Sequence, residues 1–280
     1  MPEPESAENA GVSGGLMVKR AYVDIPEGQI HYQFEGRGEP LLLLHQGMFS
    51  SDEFIKVMPI LGRHYQCIAR DMLGYGMSDA NPPDFTIQDY ARADIHFMNA
   101  LGIKETRIVG VHTGCSIAVE IAIAHPERVD KLVFYGLPSF DTAVRQACIK
   151  SYTFSPVEIQ EEGSHLISRL WKVAKKIGAR ATPKDWNRVV TAGVMARGGT
   201  FHGEHAVFRY EEEARFPLVT CPTLIISGTE DVFHPRLDMV KNHFSRSKAV
   251  VIEEVDGLAL LEKPEKFAQV ALDFLTHPDI

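Results

Sequence analysis

The chain lacks the features of a nucleic-acid-binding, membrane-spanning or disulfide-linked protein. Its 280 residues carry a net charge of −8 with no run of five or more Lys or Arg, which argues against nucleic acid or an anionic membrane as a partner. No apolar run approaches the ~18 residues of a membrane span. The four cysteines (Cys67, Cys115, Cys148, Cys221) form no CxxC pair, which favours free thiols, a cytoplasmic location and no zinc site.

The N-terminal sequence MPEPESAENAGVSGG is acidic and lacks the basic start and apolar stretch of a signal peptide. We expect residues 1–18 to form a disordered tail. The remaining chain is expected to form a core from residues 19–137 and 217–280, interrupted by a helical cap at 138–216, which is called the cap below.

Strand-like and helical segments alternate along most of the chain. The predicted strands are 21–26, 29–36, 40–45, 65–70, 106–112, 130–136, 222–228 and 249–255. Helical patterns cover 50–61, 86–103, 113–126 and 264–275, and a further amphipathic stretch, 164–178, lies in the interruption. This order predicts an α/β fold with a mostly parallel sheet, helices on both faces, and a cap inserted after the sixth strand.

The stretch Gly110-Val111-His112-Thr113-Gly114 has the small-x-nucleophile-x-small spacing of a sharp catalytic turn between a strand and a helix. Histidine holds the position of the nucleophile, where serine, cysteine or aspartate is usual. Glycines on both sides allow the strand and helix to approach closely, so we expect the turn to present His112 to a pocket. Cys115 and Ser116 follow in the first helical turn and are expected to pack against the sheet.

Five motifs in order resemble the α/β-hydrolase superfamily along residues 20–280. They are LLLLHQG (41–47), similar to the third strand and oxyanion loop; RDMLGYGMSD (70–79), similar to a D-x-x-G-x-G-x-S loop; GVHTG (110–114), similar to the nucleophile elbow; PTLIISGTED (222–231), similar to the strand of the catalytic acid; and LLEKPEKF (260–267), similar to the segment after the catalytic histidine. The resemblance implies an eight-stranded sheet and a cap like those of epoxide hydrolases, haloalkane dehalogenases and carbon–carbon bond hydrolases.

The resemblance carries the catalytic triad onto three positions, two of which are altered. His112 stands at the nucleophile, and Asp231 matches the acid. Family members usually have Gly-His, four residues, and then Glu-x-Pro-Glu, so counting back from Glu262 places Gly257 where the histidine belongs. The chain therefore resembles a serine hydrolase with its nucleophile replaced, its base absent and its acid retained.

Space beside Gly257 would allow His112 to lean toward Asp231 and to bond it directly or through one water. A carboxylate partner fixes the tautomer of an imidazole and raises its basicity, which suits a general base. The backbone N–H groups of Gly47 and Thr113 are expected to form an oxyanion hole. Covalent catalysis by His112 is an alternative, although acyl-imidazoles are labile and need a further base.

We expect the pocket between core and cap to take a small, neutral or aromatic molecule. Its expected lining residues are His45, Gln46, Met48, Gly257, Leu258, His234, His202 and His205. No metal or cofactor is expected, because the HxxH of FHGEH (201–205) lacks further ligands. His45 and Asp231 also have purely structural interpretations, as a strand-end histidine bound to backbone and as a loop-capping carboxylate.

The predicted function is hydrolysis of a small, largely apolar ester, lactone or carbonyl-type substrate by activated water, without a serine acyl-enzyme. A lyase, an isomerase or a cofactor-free oxygenase could use the same Asp231–His112 dyad. A catalytically inactive ligand-binding protein is the remaining alternative, since the fold alone does not separate these functions. The sequence indicates no oligomeric state.

Overall fold

The structure is a computed structural model that describes residues 18–151, 159–196 and 201–277. Side chains are described throughout these ranges except at 151 and 167–169. The predicted disordered tail lies outside the described residues, apart from its last residue. Two stretches of the predicted cap, 152–158 and 197–200, also lie outside them.

One eight-stranded sheet forms the centre of the molecule, in the order β1-β2-β4-β3-β5-β6-β7-β8. The strands are β1 Lys19–Ile25, β2 Gly28–Glu35, β3 Pro40–Leu44, β4 Gln66–Arg70, β5 Thr106–Val111, β6 Val129–Tyr135, β7 Thr223–Gly228 and β8 Ser247–Ile252. The β1–β2 and β2–β4 pairs are antiparallel and the other pairs are parallel. Each predicted strand overlaps one of these, so the predicted mostly parallel sheet is confirmed.

The described residues form eleven α-helices. They are α1 Met58–Leu61, α2 Ile87–Ala100, α3 Thr113–Ala124, α4 Thr142–Ser151, α5 Lys172–Ile177, α6 Pro183–Met195, α7 His202–Phe208, α8 Glu212–Arg215, α9 Leu237–Lys241, α10 Ala259–Glu262 and α11 Pro264–Thr276. Among the described residues, no helix is long and apolar enough to cross a membrane.

Alternate side chains of each central strand enter two separate cores. In β3, Leu42 and Leu44 join the core formed with α2, α3 and α9, whereas Leu41 and Leu43 join the core formed with α1, α10 and α11. A strand buried on both faces needs a continuous apolar run, which is why PLLLL lacks the polar alternation of an exposed strand. Helices therefore cover both faces of the sheet, as predicted.

Two predicted helices differ in the structure. Residues 50–61, which were predicted as one helix, instead form a 3₁₀ turn, Ser51–Phe54, and a separate short helix, α1. Pro59, in the first turn of α1, has no N–H to donate to the carbonyl of Ile55, so one continuous helix through it would lose a backbone hydrogen bond. Residues 164–178, which were predicted as one amphipathic helix, form a π-helical segment, Leu166–Trp171, followed by α5.

Helices α4 to α8 follow β6 and precede β7, and they belong to the cap. A third apolar cluster joins the cap to the core, with Leu170 and Val189 packed near Met48 and Leu258. Helix α7 lies against α2 and α3. The cap is thereby held over the end of β5, where the predicted catalytic turn lies.

Candidate active site

His112 lies in the sharp turn between β5 and α3, with backbone angles of φ 42° and ψ −109°. Positive φ is costly for a residue with a Cβ atom, so the surrounding packing must hold this conformation. That packing is tight: a Cβ atom on Gly114 would lie 2.0 Å from the carbonyl oxygen of Leu44, and one on Gly110 would lie 2.8 Å from the backbone nitrogen of Cys115. The two glycines therefore permit the strand and helix to meet around the turn.

The imidazole of His112 contacts Asp231 directly, with 2.8 Å between Nε2 and Oδ2. The other carboxylate oxygen, Oδ1, accepts the backbone N–H of Phe233 at 2.8 Å, so the carboxylate is held from two sides. The Asp231 side chain is fully buried, whereas 16% of the His112 side chain is exposed. The imidazole is therefore partly exposed, whereas the carboxylate is not.

Glycines at two positions beside the pair, 257 and 136, leave room for the contact between His112 and Asp231. A Cβ atom on Gly257 would lie 3.4 Å from Cε1 of His112, so a histidine side chain extending from position 257 would meet the His112 ring. A Cβ atom on Gly136, which has φ +60°, would lie 2.2 Å from Nε2 of His112 and 3.0 Å from Oδ2 of Asp231. Gly136 follows β6 and carried no catalytic motif in the sequence.

Aromatic rings set the orientation of the His112 imidazole. Tyr135 lies parallel to it, at 8° with 6.2 Å between ring centroids, and Phe233 meets it edge-on with centroids 5.4 Å apart. The Tyr135 hydroxyl donates to the backbone carbonyl of Asp256. The ring is thus confined by side chains that are themselves anchored.

In the His112–Asp231 pair, each residue favours the charged form of the other. Burial lowers the pKa of His112, but the adjoining Asp231 carboxylate and the nearby Glu53 and Glu204 outweigh it and leave this pKa above its ordinary value. Burial raises the pKa of Asp231, yet His112 and the Phe233 N–H leave it below its ordinary value. Asp231 is therefore ionised at neutral pH and can only accept a hydrogen bond. In the neutral imidazole, Nε2 then carries the proton and Nδ1 keeps its lone pair.

The polar groups next to His112 in α3 are not available as nucleophiles. Cys115 is fully buried and its thiol donates to the backbone carbonyls of Gly110 and Tyr135. Burial raises the pKa of this thiol well above its ordinary value, which disfavours the reactive thiolate. Ser116 is also fully buried. Both residues pack as the sequence predicts.

The loop after β3 departs from the prediction at His45. Its Nε2 accepts the backbone N–H of Met72 at 2.8 Å, which leaves Nδ1–H to donate to the carbonyl of Gln46 at 2.6 Å. Both ring nitrogens are used and the side chain is completely buried, so the expected pocket role of His45 is replaced by a structural one. Burial lowers the pKa of His45 to about 4, which keeps it neutral.

The predicted oxyanion hole also needs a correction. The backbone N–H of Gly47 donates to Oγ1 of Thr113 at 3.2 Å, so this donor is already engaged. The backbone N–H of Thr113 lies in the first turn of α3, where the helix itself offers no acceptor. Of the two predicted donors, the structure leaves that of Thr113 for an oxyanion.

Gln46 ties the β3 loop to the segment of Gly257. Its side-chain amide donates to the carbonyl of Gly257 at 3.1 Å and to the carboxyl of Glu53, which also accepts the Gln46 backbone N–H. Burial raises the pKa of Glu53 to about 7 despite these two bonds. Glu53 was not predicted as a site residue, because its position in a predicted amphipathic helix gave no signal.

Three other predicted lining residues have defined places. Met48 and Leu258 are buried in the cluster that joins cap and core, and Leu258 fills the space beside Gly178 of the cap. His234 lies beside the dyad, where its Nδ1 is 3.0 Å from Oγ of Ser227 and its backbone N–H donates to the carbonyl of Asp231.

In the cap, the sequence FHGEH brings a third side chain, Glu204, to the site. His202 and His205 are buried, and burial lowers the pKa of both. Glu204 instead places its carboxyl against the β3 loop, since a Cβ atom on Gly47 would lie 2.4 Å from Cδ and Oε2 of Glu204. Oε2 accepts the Tyr75 hydroxyl at 3.4 Å. In the sequence, Glu204 stands out only as part of the FHGEH stretch, which is weak as a metal motif.

The described residues contain no group of three or more His, Cys, Asp or Glu arranged to hold a metal ion. A cleft of about 610 Å³ lies between the β1–β2 hairpin, the Asp71 loop and α6, and its lining includes Tyr22, His31, Met77 and Arg188. None of its lining residues belongs to the His112–Asp231 pair. This cleft is therefore separate from the dyad.

Known proteins share this chain's sequence and fold. A 2-hydroxy-6-oxo-6-(2'-aminophenyl)hexa-2,4-dienoic acid hydrolase of Metapseudomonas resinovorans is 27% identical over 273 residues, covering 89% of this chain and 88% of its own. Haloalkane dehalogenase 2 of Mycobacterium tuberculosis is 27% identical over 229 residues, covering 77% of this chain and 79% of its own. The solved structure of an E-2-(acetamidomethylene)succinate hydrolase matches with a TM-score of 0.79 and 18% identity, covering 93% of this chain and all of that one.

The solved structure, at this low identity, shows a shared fold. The relatives named above are hydrolases, and they match this chain over most of its length. A family model described as the alpha/beta hydrolase fold matches residues 39–264, which include the elbow, Asp231 and Gly257. The chain belongs to the α/β-hydrolase fold family.

Proposed function

We propose that this protein is a hydrolase of small carbonyl compounds, such as esters or lactones, in which His112 oriented by Asp231 activates water. The observation that carries the proposal is the 2.8 Å contact between Nε2 of His112 and Oδ2 of Asp231. It provides an Asp–His pair, although the histidine comes from the elbow. The hydrolases among the relatives support water as the second reactant.

The base is Nδ1 of His112. Asp231 is held ionised and accepts Nε2–H, so the lone pair of Nδ1 is free to take a proton from water. The resulting imidazolium remains in contact with the Asp231 carboxylate, which stabilises its charge. Buried Cys115 and Ser116 offer no competing nucleophile, so the substrate is attacked by water and forms no acyl-enzyme.

The reaction then follows the geometry of the elbow. Water attacks the carbonyl carbon as its proton moves to Nδ1, and the carbonyl oxygen becomes an oxyanion. In this proposal the Thr113 N–H, at the positive end of the α3 dipole, stabilises that oxygen. Collapse of the tetrahedral intermediate expels the leaving oxygen, which takes the proton from the imidazolium.

Kinetics of the wild type and four variants test the proposal, with p-nitrophenyl acetate and dihydrocoumarin as a small ester and a small lactone. His112→Ala and Asp231→Asn should each lower kcat by about 10²–10⁴-fold, because each removes the oriented base. The double variant should lose little more, since the two residues act as one unit. His64→Ala, at an exposed histidine, is the matched control and should keep wild-type turnover.

A fluorophosphonate probe distinguishes this mechanism from serine catalysis. No serine should be labelled, because the hydrogen-bond partner of the His112 imidazole is the Asp231 carboxylate and no hydrogen bond joins this ring to a described serine. Stoichiometric labelling of a serine, or full turnover by His112→Ala, would contradict the proposal. A non-catalytic binding protein would show no turnover in the wild type and no difference between the wild type and the four variants.

A further inference from the structure

The carboxyl of Glu204 lies beside one of the two expected oxyanion donors. It lies against Gly47, so close that a Cβ atom on Gly47 would be 2.4 Å from its Cδ atom. The Gly47 N–H, a predicted oxyanion donor, is bonded instead to Oγ1 of Thr113. One backbone donor is thus engaged, and a cap carboxyl stands beside it.

Tyr75 holds Glu204 in this position. The Gly203 N–H donates to the Tyr75 hydroxyl oxygen at 2.8 Å, which directs the hydroxyl proton toward Oε2 of Glu204 at 3.4 Å. Gly203 lets α7 approach this closely, because a Cβ atom there would lie 3.0 Å from the Tyr75 oxygen and 3.4 Å from Cγ2 of Thr113. With Oε2 bonded to Tyr75, Oε1 is the oxygen left to carry a proton toward a ligand.

The surroundings of Glu204 favour its protonated form. Burial raises its pKa to about 7, and the lowering effects of its own backbone N–H, the Tyr75 hydroxyl and His112 are smaller. The ionisable groups that face it are Tyr75, Tyr90 of α2 and His112, and the charge of Glu204 raises the pKa of both tyrosines. A neutral carboxylic acid can donate a hydrogen bond to an oxyanion, as in ketosteroid isomerase.

We propose that Glu204 is a further catalytic residue that, in its protonated form and held by Tyr75, donates a hydrogen bond and then a proton to the carbonyl oxygen of the substrate. This inference rests on the proposed function of His112 as the base. The carbonyl oxygen lies between Glu204 and the Thr113 N–H. The cap acid takes over the role of the engaged Gly47 donor.

The proton transfers balance. As water attacks the carbonyl carbon, one water proton moves to Nδ1 of His112 and the Glu204 proton moves to the carbonyl oxygen, which gives a neutral tetrahedral intermediate. On collapse, that oxygen returns its proton to the Glu204 carboxylate and the bond to the leaving oxygen breaks. The leaving oxygen takes the proton from His112, so ester and water become acid and alcohol with no other reactant.

Variants at Glu204 test this role with p-nitrophenyl acetate and dihydrocoumarin. Glu204→Gln keeps a hydrogen-bond donor but has no proton to transfer, so kcat should fall by about 10–100-fold; Glu204→Ala should lower it by about 10²–10³-fold. Wild-type kcat should decline above about pH 7, where Glu204 ionises, and Glu204→Gln should lose that alkaline decline. Glu211→Gln, at an exposed cap glutamate, is the matched control.

Infrared spectroscopy adds a readout that needs no substrate. The difference spectrum between wild type and Glu204→Gln should contain the carbonyl band of one protonated carboxyl, and this band should disappear as the pH rises through about 7. Glu53 and Glu262, whose pKa values are also raised to about 7, cancel in the difference. Absence of this band at pH 6 would overturn the proposal even if neither probe is hydrolysed.

The outcomes separate this inference from the proposed function. If His112→Ala is inactive but Glu204→Ala equals or exceeds the wild type, Glu204 only fills the site and the inference is wrong while the base remains. An unchanged alkaline limb in Glu204→Gln also overturns the inference. Wild-type turnover in His112→Ala would remove both proposals.

Discussion

Replacing Gly136 with alanine should separate His112 from Asp231 without changing either residue. The new Cβ atom would lie 2.2 Å from Nε2 and Cδ2 of His112 and 3.0 Å from Oδ2 of Asp231. Non-bonded heavy atoms are comfortable at about 3.5–4.0 Å, so the imidazole must withdraw by more than about 1 Å. The 2.8 Å hydrogen bond between the side chains does not survive such a shift.

The cost has two parts. Gly136 has φ +60°, and a side chain in this region costs about 1–2 kcal/mol. The loss of a hydrogen bond to a charged group costs a further ~1.5–3 kcal/mol, so unfolding should become easier by about 2.5–5 kcal/mol. A displacement of about 1 Å from the reactive geometry should lower kcat by about 10²-fold. The pKa of His112 should fall, because burial remains while its stabilising partner moves away.

Gly102→Ala is a matched control for the backbone effect. Gly102 has φ +71°, but a Cβ atom there would meet nothing within 4 Å. The Gly102→Ala variant should be less stable only by the ~1–2 kcal/mol that backbone strain costs, and it should keep full activity and an unchanged His112 pKa. Urea denaturation measures the stability of both variants, and an NMR titration of the His112 ring proton measures the pKa.

Equal behaviour of the two alanine variants would refute the reasoning. If Gly136→Ala lost no more stability than Gly102→Ala and the His112 titration were unchanged, the imidazole would not lie beside position 136. The contact with Asp231 would then be absent in solution, and the base assigned to His112 would have no orienting carboxylate.

Two further predictions follow from the same geometry. Combining His112→Ser with Gly257→His should restore a family-type triad, with fluorophosphonate labelling about 10²–10⁴-fold faster than in His112→Ser alone; equal labelling would show that position 257 does not present a histidine to the elbow. Burial raises the pKa of Asp71, but the His31 hydrogen bond and backbone N–H groups lower it to about 2 overall. The stability from this shift is present above about pH 4 and lost as the pH falls through about 2, so the wild-type advantage over Asp71→Asn should shrink by about 2 kcal/mol in acid denaturation, and a constant advantage would contradict it.

The sheet could be predicted because its signals are local. Strands such as PLLLL and TLIISG are continuous apolar runs, and both are buried on two faces. The helix predicted across Pro59 failed because the apolar spacing was followed through a residue that breaks the backbone bonding pattern. His45 was placed in the pocket because the sequence does not reveal which backbone groups meet a ring nitrogen.

The site could be predicted only where motifs align. Asp231 and His112 could be paired because the elbow and the acid strand have fixed places in the fold. The missing side chain at Gly257 also indicated that the His112 ring has room to lean toward Asp231. Gly136 and Glu204 had no such signal, since their roles arise where the end of β6 and the cap helix α7 meet the elbow. The contacts of Glu204 with Gly47 and of Gly136 with Asp231 join residues 157 and 95 positions apart in the chain, so they depend on tertiary packing, which a single sequence leaves open.

The residues at positions 112 and 257 depend on each other. The His112 ring lies 3.4 Å from where a Cβ atom on residue 257 would be, so a second imidazole from that position would compete for the same space and the same carboxylate. Asp231 can orient only one of them, because its Oδ1 is bonded to the Phe233 N–H and its Oδ2 to the imidazole. Under the proposed function, the imidazole on the elbow therefore takes the place of both the nucleophile and the usual base. Under the proposed function, the attacking oxygen must then come from water, and a cap acid such as Glu204 becomes useful because no acyl-enzyme step divides the proton transfers.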